Sequence, residues 1–528
     1  MLIASLFLLL LSNGLTVRKD VSIFYSRIAI YKLMYCIILA YLSFFITYLE
    51  KGLGIYNGLF VASSITHTFH IFIFLASLII LLLTGFYPRK ILGNNLKINS
   101  ITSLINNKMS EQYTIIEYAL LILFVVLGGC LLISCSDFIS LFLCIELQSY
   151  GLYILSVVYR DSEPATSSGL TYFLLGGLSS CFILLGIVLI YVNTGVTNFD
   201  SFYVLTNLTT NYEFISLWYK SEYITYSLLI ITVGLLFKIA AAPFHFWSPD
   251  VYDGIPTIVT TFVANIAKIS ILILMLDLIH YTSNSQIKTT FDWTTGLLIS
   301  SLLSLIIGTV LGLTQTRIKR LFAYSTISHV GFILLALGIN SIESSKAFIF
   351  YLIQYTLTNI NGFMILIAIG YSLYLYANNN LVFVKLKDKN NSPIQLINQI
   401  KGYFYINPVL AISLSIVMLS FAGIPPFVGF FAKLLVFSSA LENGLIFLVL
   451  IAIITSVIGA VYYLGIIKTM FFDKSDYIQS NLNLNITLSS YLTIPISILT
   501  LSILLFITTP DELTYLSNIL SIISFTNN

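Results

Sequence analysis

Charged residues are scarce in this sequence, and their scarcity limits what the protein can be. Only 9% of the 528 residues are charged and 58% are hydrophobic, with a net charge of +3 at pH 7. A soluble domain of this size carries far more charge, and a nucleic-acid-binding protein carries clustered basic residues. The composition therefore indicates a membrane protein with no nucleic-acid partner.

Cysteine is also scarce, which bears on cofactors. The five cysteines lie in apolar segments without CxxC spacing, at Cys36, Cys130, Cys135, Cys144 and Cys181. Iron–sulfur and zinc sites usually need such spacing. We therefore expect the cysteines to be small core side chains, and we expect no cofactor or metal in this chain.

Long apolar runs separated by short polar breaks fill most of the sequence. A transmembrane helix needs about 20 apolar residues, so the pattern predicts an all-α polytopic membrane protein with about 14 transmembrane helices. The predicted spans are 1–15, 28–49, 65–87, 112–134, 138–159, 167–192, 222–247, 256–280, 294–314, 320–340, 347–376, 407–440, 444–472 and 487–509.

The basic residues indicate an orientation for these spans. Most Lys and Arg residues lie on the connections after odd-numbered spans, and the positive-inside rule assigns such connections to the inner side of the membrane. Both termini should then face the outer side.

One predicted span contains a lysine and a proline, within GLLFKIAAAPFHFWSPDVYDGIP at 234–256. An ammonium at mid-span, such as that of Lys238, costs about 2.5–3.5 kcal/mol on insertion scales. Pro243 should break the helix and leave the carbonyl of Ile239 free beside the lysine. Broken helices at membrane depth often line ion paths. The alternative is a lysine that extends to the membrane surface.

A second broken span is predicted at FAGIPPFVGFFAK. Pro425 and Pro426 should free the carbonyls of Phe421 and Ala422, with Lys433 two turns further along. Here too, the alternative is a lysine that reaches the outer surface.

The two broken spans lie five spans apart, so they should run in opposite directions across the membrane. This spacing predicts two inverted five-helix repeats, spans 4–8 and 9–13. The predicted division of the chain is an N-terminal three-helix segment at 1–110, a first repeat at 111–285, a second repeat at 286–476, and a C-terminal helix and tail at 477–528.

Further ionisable residues lie within or beside the predicted spans. Glu146 is a carboxylate at mid-membrane and needs a cation, for which Lys238 is the candidate; a small change in their separation would alter which group holds a proton. The alternative is a static ion pair that fixes helix register. Lys268 has no neutralising neighbour in sequence, which implies either water beside it or loss of its proton.

Histidines and aspartates add candidates. His245 and His329 could relay protons, although a lone histidine on an apolar face is more often only hydrogen-bonded. His67, His70 and His280 lie near span ends, and we assign them no role. Asp250 and Asp253 would attract protons or cap helices. Trp247 should anchor the chain at the membrane interface.

Four segments carry a family resemblance. They are EYALLILFVVLGGCLLISCSDFISLFLCIELQSYGLYIL at 117–155, FKIAAAPFHFWSPDVYDGIPT at 237–257, QTRIKRLFAYSTISHVGF at 315–332 and FAGIPPFVGFFAK at 421–433. The chain resembles the subunit 2 family of proton-pumping NADH:ubiquinone oxidoreductase (respiratory complex I), an antiporter-like membrane subunit family, in its mitochondrially encoded fungal form.

The resemblance implies a fourteen-helix antiporter-like fold with a central hydrophilic axis that carries protons. Glu146 would be the charge partner, Lys238 the switching lysine, Lys268 the connector toward the centre, and Lys433 the lysine of the second broken helix. FMN, iron–sulfur clusters, NADH and ubiquinone would bind in other subunits.

The resemblance also implies a location and partners. The chain would lie in the mitochondrial inner membrane with both termini on the intermembrane-space side. It would contact other membrane-arm and accessory subunits and lipids such as cardiolipin. Two alternatives stay open: a self-sufficient cation/proton antiporter, and a structural spacer with inert charges.

Overall fold

The computed structural model describes most of the chain. The described residues are 1–15, 22–45, 52–83, 118–158, 162–208, 221–283, 293–377, 394–474 and 490–526. The predicted inner connection at 88–111 and most of the one at 377–406 lie outside the described residues, as does the first part of the predicted span at 112–134.

The described part of residues 1–83 contains three helices. They are α1 (Leu2–Leu15), α2 (Ser22–Ser43) and α3 (Ser64–Leu83). Each overlaps one of the first three predicted spans.

A β-hairpin precedes α3, so the all-α prediction is wrong here. Strands β1 (Leu53–Ile55) and β2 (Phe60–Ala62) pair antiparallel. The turn between them places Tyr56, Asn57 and Gly58 at positive φ. Asn-Gly favours tight hairpin turns, a signal that apolar-run counting does not detect.

The described residues in the middle of the chain form seven helices. They are α4 (Tyr118–Ile133), α5 (Phe138–Val157), α6 (Glu163–Thr194), α7 (Phe199–Leu208), α8 (Ser221–Ile239), α9 (Trp247–Gly254) and α10 (Thr257–Ser283). The short helix α7 occupies what the sequence predicted to be a connection.

The second half of the chain also contains long helices. They are α11 (Trp293–Leu313), α12 (Ile318–Ile339), α13 (Ile342–Ala377), α14 (Pro408–Ala422), α15 (Val428–Glu442) and α16 (Ile446–Phe471). Two 3₁₀ turns, Ile397–Ile400 and Tyr403–Tyr405, precede α14.

Both predicted helix breaks are confirmed. α8 ends at Ile239, before Pro243, and the chain becomes helical again at Trp247. α14 ends at Ala422, and α15 begins after the two prolines. Each break follows from the missing N–H of proline.

The C-terminal region differs from its prediction. A single helix followed by a tail was expected, but α17 (Ser490–Leu504) continues through a 3₁₀ turn into α18 (Pro510–Thr526). The two helices bend by 92° at the junction. Pro510 at the first helical position suits a helix start, which sequence analysis overlooked in favour of hydropathy.

Nine helices of the described residues are long and apolar enough to cross a membrane, or ten if the bent C-terminal pair counts as one span. The shorter apolar helices of the described residues include α8 and α14, which end at the two breaks. The chain is therefore a multi-span helical protein, while the number fourteen and the inverted repeats stay predictions.

Burial separates the centre of the bundle from its rim. α10, α12 and α13 are buried almost throughout, whereas α6 and α16 expose many apolar side chains. Apolar side chains on an outer face suit contact with lipid. The polar residues on the central helices must then be satisfied inside the protein.

Glycines allow two pairs of helices to approach closely. A Cβ at Gly186 of α6 or Gly234 of α8 would lie 2.9 Å from a backbone oxygen of the other helix. Gly308 of α11 and Gly331 of α12 have equally close neighbours across their own interface. Small residues at such interfaces are typical of membrane helix packing.

Candidate functional site

Glu146 and Lys238 form the ion pair that the sequence suggested. The Lys238 Nζ and Glu146 Oε1 atoms are 3.5 Å apart, and the side chains are only 8% and 14% exposed, respectively. Glu146 projects from α5, and Lys238 lies in the last turn of α8. The pair thus joins an unbroken helix to the edge of the first break.

The indole of Trp247 binds a carbonyl at the first helix break, between α8 and α9. The Nε1 atom of Trp247 donates a hydrogen bond to the carbonyl of Phe237 at 2.9 Å, and its ring stacks on Tyr172. Trp247 is buried, so the prediction of an interfacial anchor is wrong. The break frees carbonyls inside the protein, and the indole N–H satisfies one of them there.

Lys268 is buried on α10 and faces α12. Its Nζ donates to the Thr326 hydroxyl at 3.3 Å and lies 5.8 Å from the centre of the Tyr252 ring. Within the described residues, no hydrogen bond or ion pair connects the Glu146–Lys238 pair to Lys268. Sequence analysis did not single out Thr326, because a threonine in an apolar helix carries no pattern of its own.

Two buried asparagines continue the polar contacts. The Nδ2 atom of Asn359 on α13 donates to Asn265 Oδ1 at 3.0 Å and to the Tyr355 hydroxyl at 3.2 Å. Asn265 lies one turn from Lys268 on α10. Sequence analysis missed both amides, although amides within apolar spans are a detectable signal.

His329 lies in a fully enclosed aromatic environment. Its Nδ1 atom is 2.8 Å from the Tyr351 hydroxyl, and its Nε2 atom is 3.2 Å from the Tyr463 hydroxyl. Its ring also packs against Tyr355 and Phe421. Both ring nitrogens are therefore engaged, and Tyr355 links the histidine to the asparagine pair.

Lys433 lies at the second break and does not reach the surface. Its Nζ donates to the carbonyls of Phe421 at 3.0 Å and Ala422 at 2.8 Å. It also lies 5.4 Å from the centre of the Phe332 ring. These are the carbonyls that the prolines were predicted to free, and the buried ammonium contradicts the snorkelling alternative. The lysine acts as a cationic cap for the C-terminus of α14.

His245 lies apart from the buried lysines, asparagines and His329 described above. Within the described part of the chain, its buried Nδ1 atom has no hydrogen-bond partner. Its ring contacts Phe246, and its carbonyl accepts from Ser248. The structure therefore places His329, but not His245, beside the other buried polar residues described above.

Charges cluster where α9 meets the start of α12. Asp253 pairs with Arg317 and Arg320, and Arg320 also pairs with Asp250 at 2.6 Å. Both aspartates therefore act in ion pairs, which sequence analysis did not consider for them.

Lys319 is a further residue that sequence reasoning misplaced. It falls between the predicted spans 294–314 and 320–340, which would make it part of a connection, but it lies in the first turn of α12 and is 1% exposed. Its Nζ donates to the carbonyl of Ile255 at 2.6 Å, just beyond the end of α9. Hydropathy cannot reveal such burial, because the compensating carbonyl is distant in sequence.

The cysteines are free thiols. Four are buried as expected, but Cys181 is exposed on the outward face of α6, so the core prediction is wrong for it. Among the described residues, no group of three or more His, Cys, Asp or Glu side chains could hold a metal ion.

Comparison with known proteins identifies the class of membrane protein to which this chain belongs. The family model described as NADH:quinone oxidoreductase/Mrp antiporter, TM, matches residues 135–459. This range contains both breaks and all of the lysines above. The fold and the match together define an antiporter-like polytopic membrane protein.

Relatives narrow the class to a family. The chain is 46% identical over 513 residues to NADH-ubiquinone oxidoreductase chain 2 of Rhizopus oryzae, and the match covers 93% of each protein. The chain therefore belongs to the family of NADH-ubiquinone oxidoreductase chain 2, which confirms the resemblance seen in its motifs.

Solved structures share the fold. A chain of respiratory complex I from Thermus thermophilus with bound aureothin superimposes with a TM-score of 0.70 at 23% identity, over 98% of this chain and 99% of that one. A chain of the Mrp complex of Dietzia sp. gives 0.76 at 17% identity, over 98% and 95%. At these identities the likeness describes the fold alone.

Proposed function

We propose that this chain is a proton-translocating membrane-arm subunit of NADH:ubiquinone oxidoreductase in the mitochondrial inner membrane. It would contact other membrane-arm and accessory subunits of that complex, and lipids. Electron transfer from NADH to ubiquinone in those subunits would supply the energy. In this proposal the chain holds no redox centre, and both termini face the intermembrane space.

The observation that carries the proposal is a set of largely buried ionisable groups in the bundle, namely the Glu146–Lys238 pair, Lys268, His329 and Lys433. We infer that these groups form a line along which protons move. Asn265, Asn359, Thr326 and several tyrosines lie beside these groups. Buried ionisable groups in transmembrane segments are costly and usually functional.

The two breaks give the lysines different surroundings that support a transfer role. Lys238 has a carboxylate partner, so its charge depends on its distance from Glu146. Within the described residues, the hydrogen bonds of Lys433 go to neutral carbonyls. A proton that moves along the line would therefore pass between sites that stabilise charge to different degrees.

Substitution of Lys238 tests this function. Because a neutral side chain cannot transfer charge, Lys238→Met should lower NADH-driven quinone reduction and proton pumping together. Both rates would be measured on the purified complex in proteoliposomes and divided by the amount of complex. Wild-type turnover and pumping would contradict the proposal and favour an inert spacer.

The antiporter alternative has its own test. The description of the matching family model includes the Mrp antiporter, which makes a self-sufficient cation/proton exchanger the second candidate. Such a protein would exchange cations for protons in proteoliposomes without NADH. We expect no exchange under that condition from the isolated chain.

A further inference from the structure

Two histidines on α3 lie outside the line of groups described above. His67 and His70 are about one turn apart, and their ring centres are separated by 5.8 Å. The His67 Nδ1 atom is 3.0 Å from the carbonyl of Ser63, which links β2 to α3. Both rings are half-buried, and His67 is the one nearer to the hairpin along α3.

The inner histidine contacts α4. The His70 Nε2 atom is 2.8 Å from the carbonyl of Cys130. The preceding residue, Gly129, leaves space between helices: a Cβ there would lie 3.3 Å from Gln148 Nε2 and 3.7 Å from Ser270 Cβ. Helices α3, α4, α5 and α10 thus meet around one small polar junction.

Gln148 has an unused donor in this junction. Its Oε1 atom accepts from the Ser270 hydroxyl at 3.0 Å, and the side chain is only 3% exposed. Its buried Nε2 atom has no hydrogen-bond partner within the described residues. An unpaired buried amide is costly, and such groups commonly bind an ordered water molecule.

The junction lies at the depth of the proton-carrying groups. Gln148 is two residues from Glu146 on α5, and Ser270 is two residues from Lys268 on α10. Two residues of an α-helix rotate the side chain by about 200°. The same two helices therefore carry the charged groups on one face and the junction on the other.

We propose that His67, His70, Gln148 and Ser270 form a second proton path, which connects the depth of the Glu146–Lys238 pair with the aqueous phase at the hairpin end. Gln148 and Ser270 hold water. Each histidine keeps the N–H that faces a carbonyl, binds a proton from one water on its other ring nitrogen, and releases that proton to the next water, so neither ring is consumed. This inference rests on the proposed function and names additional residues for it.

His70→Gln is the central test. The amide still donates to the Cys130 carbonyl but cannot bind and release a proton near neutral pH. In the intact complex in proteoliposomes, turnover and pumping per complex should fall about tenfold or more, in line with lost proton-transfer catalysis. His280→Gln is the matched control, because that ring packs on Phe525 outside the junction. It should retain wild-type rates.

A second variant separates proton transfer from folding. Imidazole added to the medium should partly restore turnover in His70→Ala, because a free imidazole can replace the lost ring. It should not restore Lys238→Met. A lower yield of complex with wild-type activity per complex, or no rescue by imidazole, would assign His70 a structural role and overturn the second path.

The outcomes also separate this inference from the proposed function. Wild-type rates in His70→Gln together with a loss in Lys238→Met would overturn the second path alone. Wild-type rates in both variants would overturn the proposed function itself, and with it the second path.

Discussion

The buried ion pair offers the sharpest prediction, because Glu146→Gln keeps the volume of the side chain and removes its charge. Two opposite charges 3.5 Å apart attract each other by about 5 kcal/mol at an effective dielectric constant of about 20. Removing one partner of a buried pair typically costs about 3–5 kcal/mol. A cost of 1.36 kcal/mol in a barrier lowers a rate about tenfold.

If even half of the cost of about 3–5 kcal/mol for removing one partner raised the barrier of the proton-transfer step, turnover would fall by more than about tenfold. We therefore expect Glu146→Gln to reduce turnover per complex more than it reduces the amount of assembled complex. The assay measures purified complex per milligram of membrane and NADH:quinone turnover per complex side by side.

The chain provides a matched control for this variant. Glu343 pairs with Lys346 at 3.6 Å, nearly the same distance, but its side chain is 56% exposed. An exposed pair contributes about 0–1 kcal/mol, so Glu343→Gln should leave turnover unchanged. Loss of folded Glu146→Gln complex with normal activity in the remainder would refute the transfer role and favour a static ion pair.

Two further substitutions test other contacts. Thr326→Val removes the hydroxyl that accepts a hydrogen bond from Lys268. It should slow turnover about tenfold or more, because a hydrogen bond to a charged group contributes about 1.5–3 kcal/mol. The control Thr455→Val loses only a hydrogen bond to its own helix and should leave turnover unchanged. Gly423→Ala should lower the thermal stability of the complex, because φ at this residue is +79° and a Cβ would lie 2.8 Å from Lys433 Cδ. The control Gly465→Ala places its Cβ in open space and should not lower the thermal stability. If a substitution and its control had equal effects, the role assigned to that contact would be contradicted.

Local rules predicted the breaks and their neighbours well. Pro243, Pro425 and Pro426 end helices because of their own chemistry, so sequence alone located the breaks. The freed carbonyls of Phe421 and Ala422 followed from the same rule and are the partners of Lys433. The Glu146–Lys238 pair followed from the cost of burying either charge unpaired.

Other features depended on contacts that sequence spacing does not encode. Trp247 and Lys319 looked like surface residues, but each binds a carbonyl inside the protein. The Asn265–Asn359 bond joins α10 to α13, and only the folded bundle brings those helices together. Hydropathy also could not distinguish the helical C-terminal segment from a tail, because α18 is only moderately apolar.

The most direct measurement for the central claim is a high-resolution density map of the intact complex with ordered water. No hydrogen bond within the described residues joins the Glu146–Lys238 pair to Lys268. Between His329 and Lys433, the described residues place the shared neighbours Phe332 and Phe421. Proton transfer over such gaps requires water. The account predicts ordered water in both gaps, and dry apolar side chains filling either one would contradict a continuous proton path.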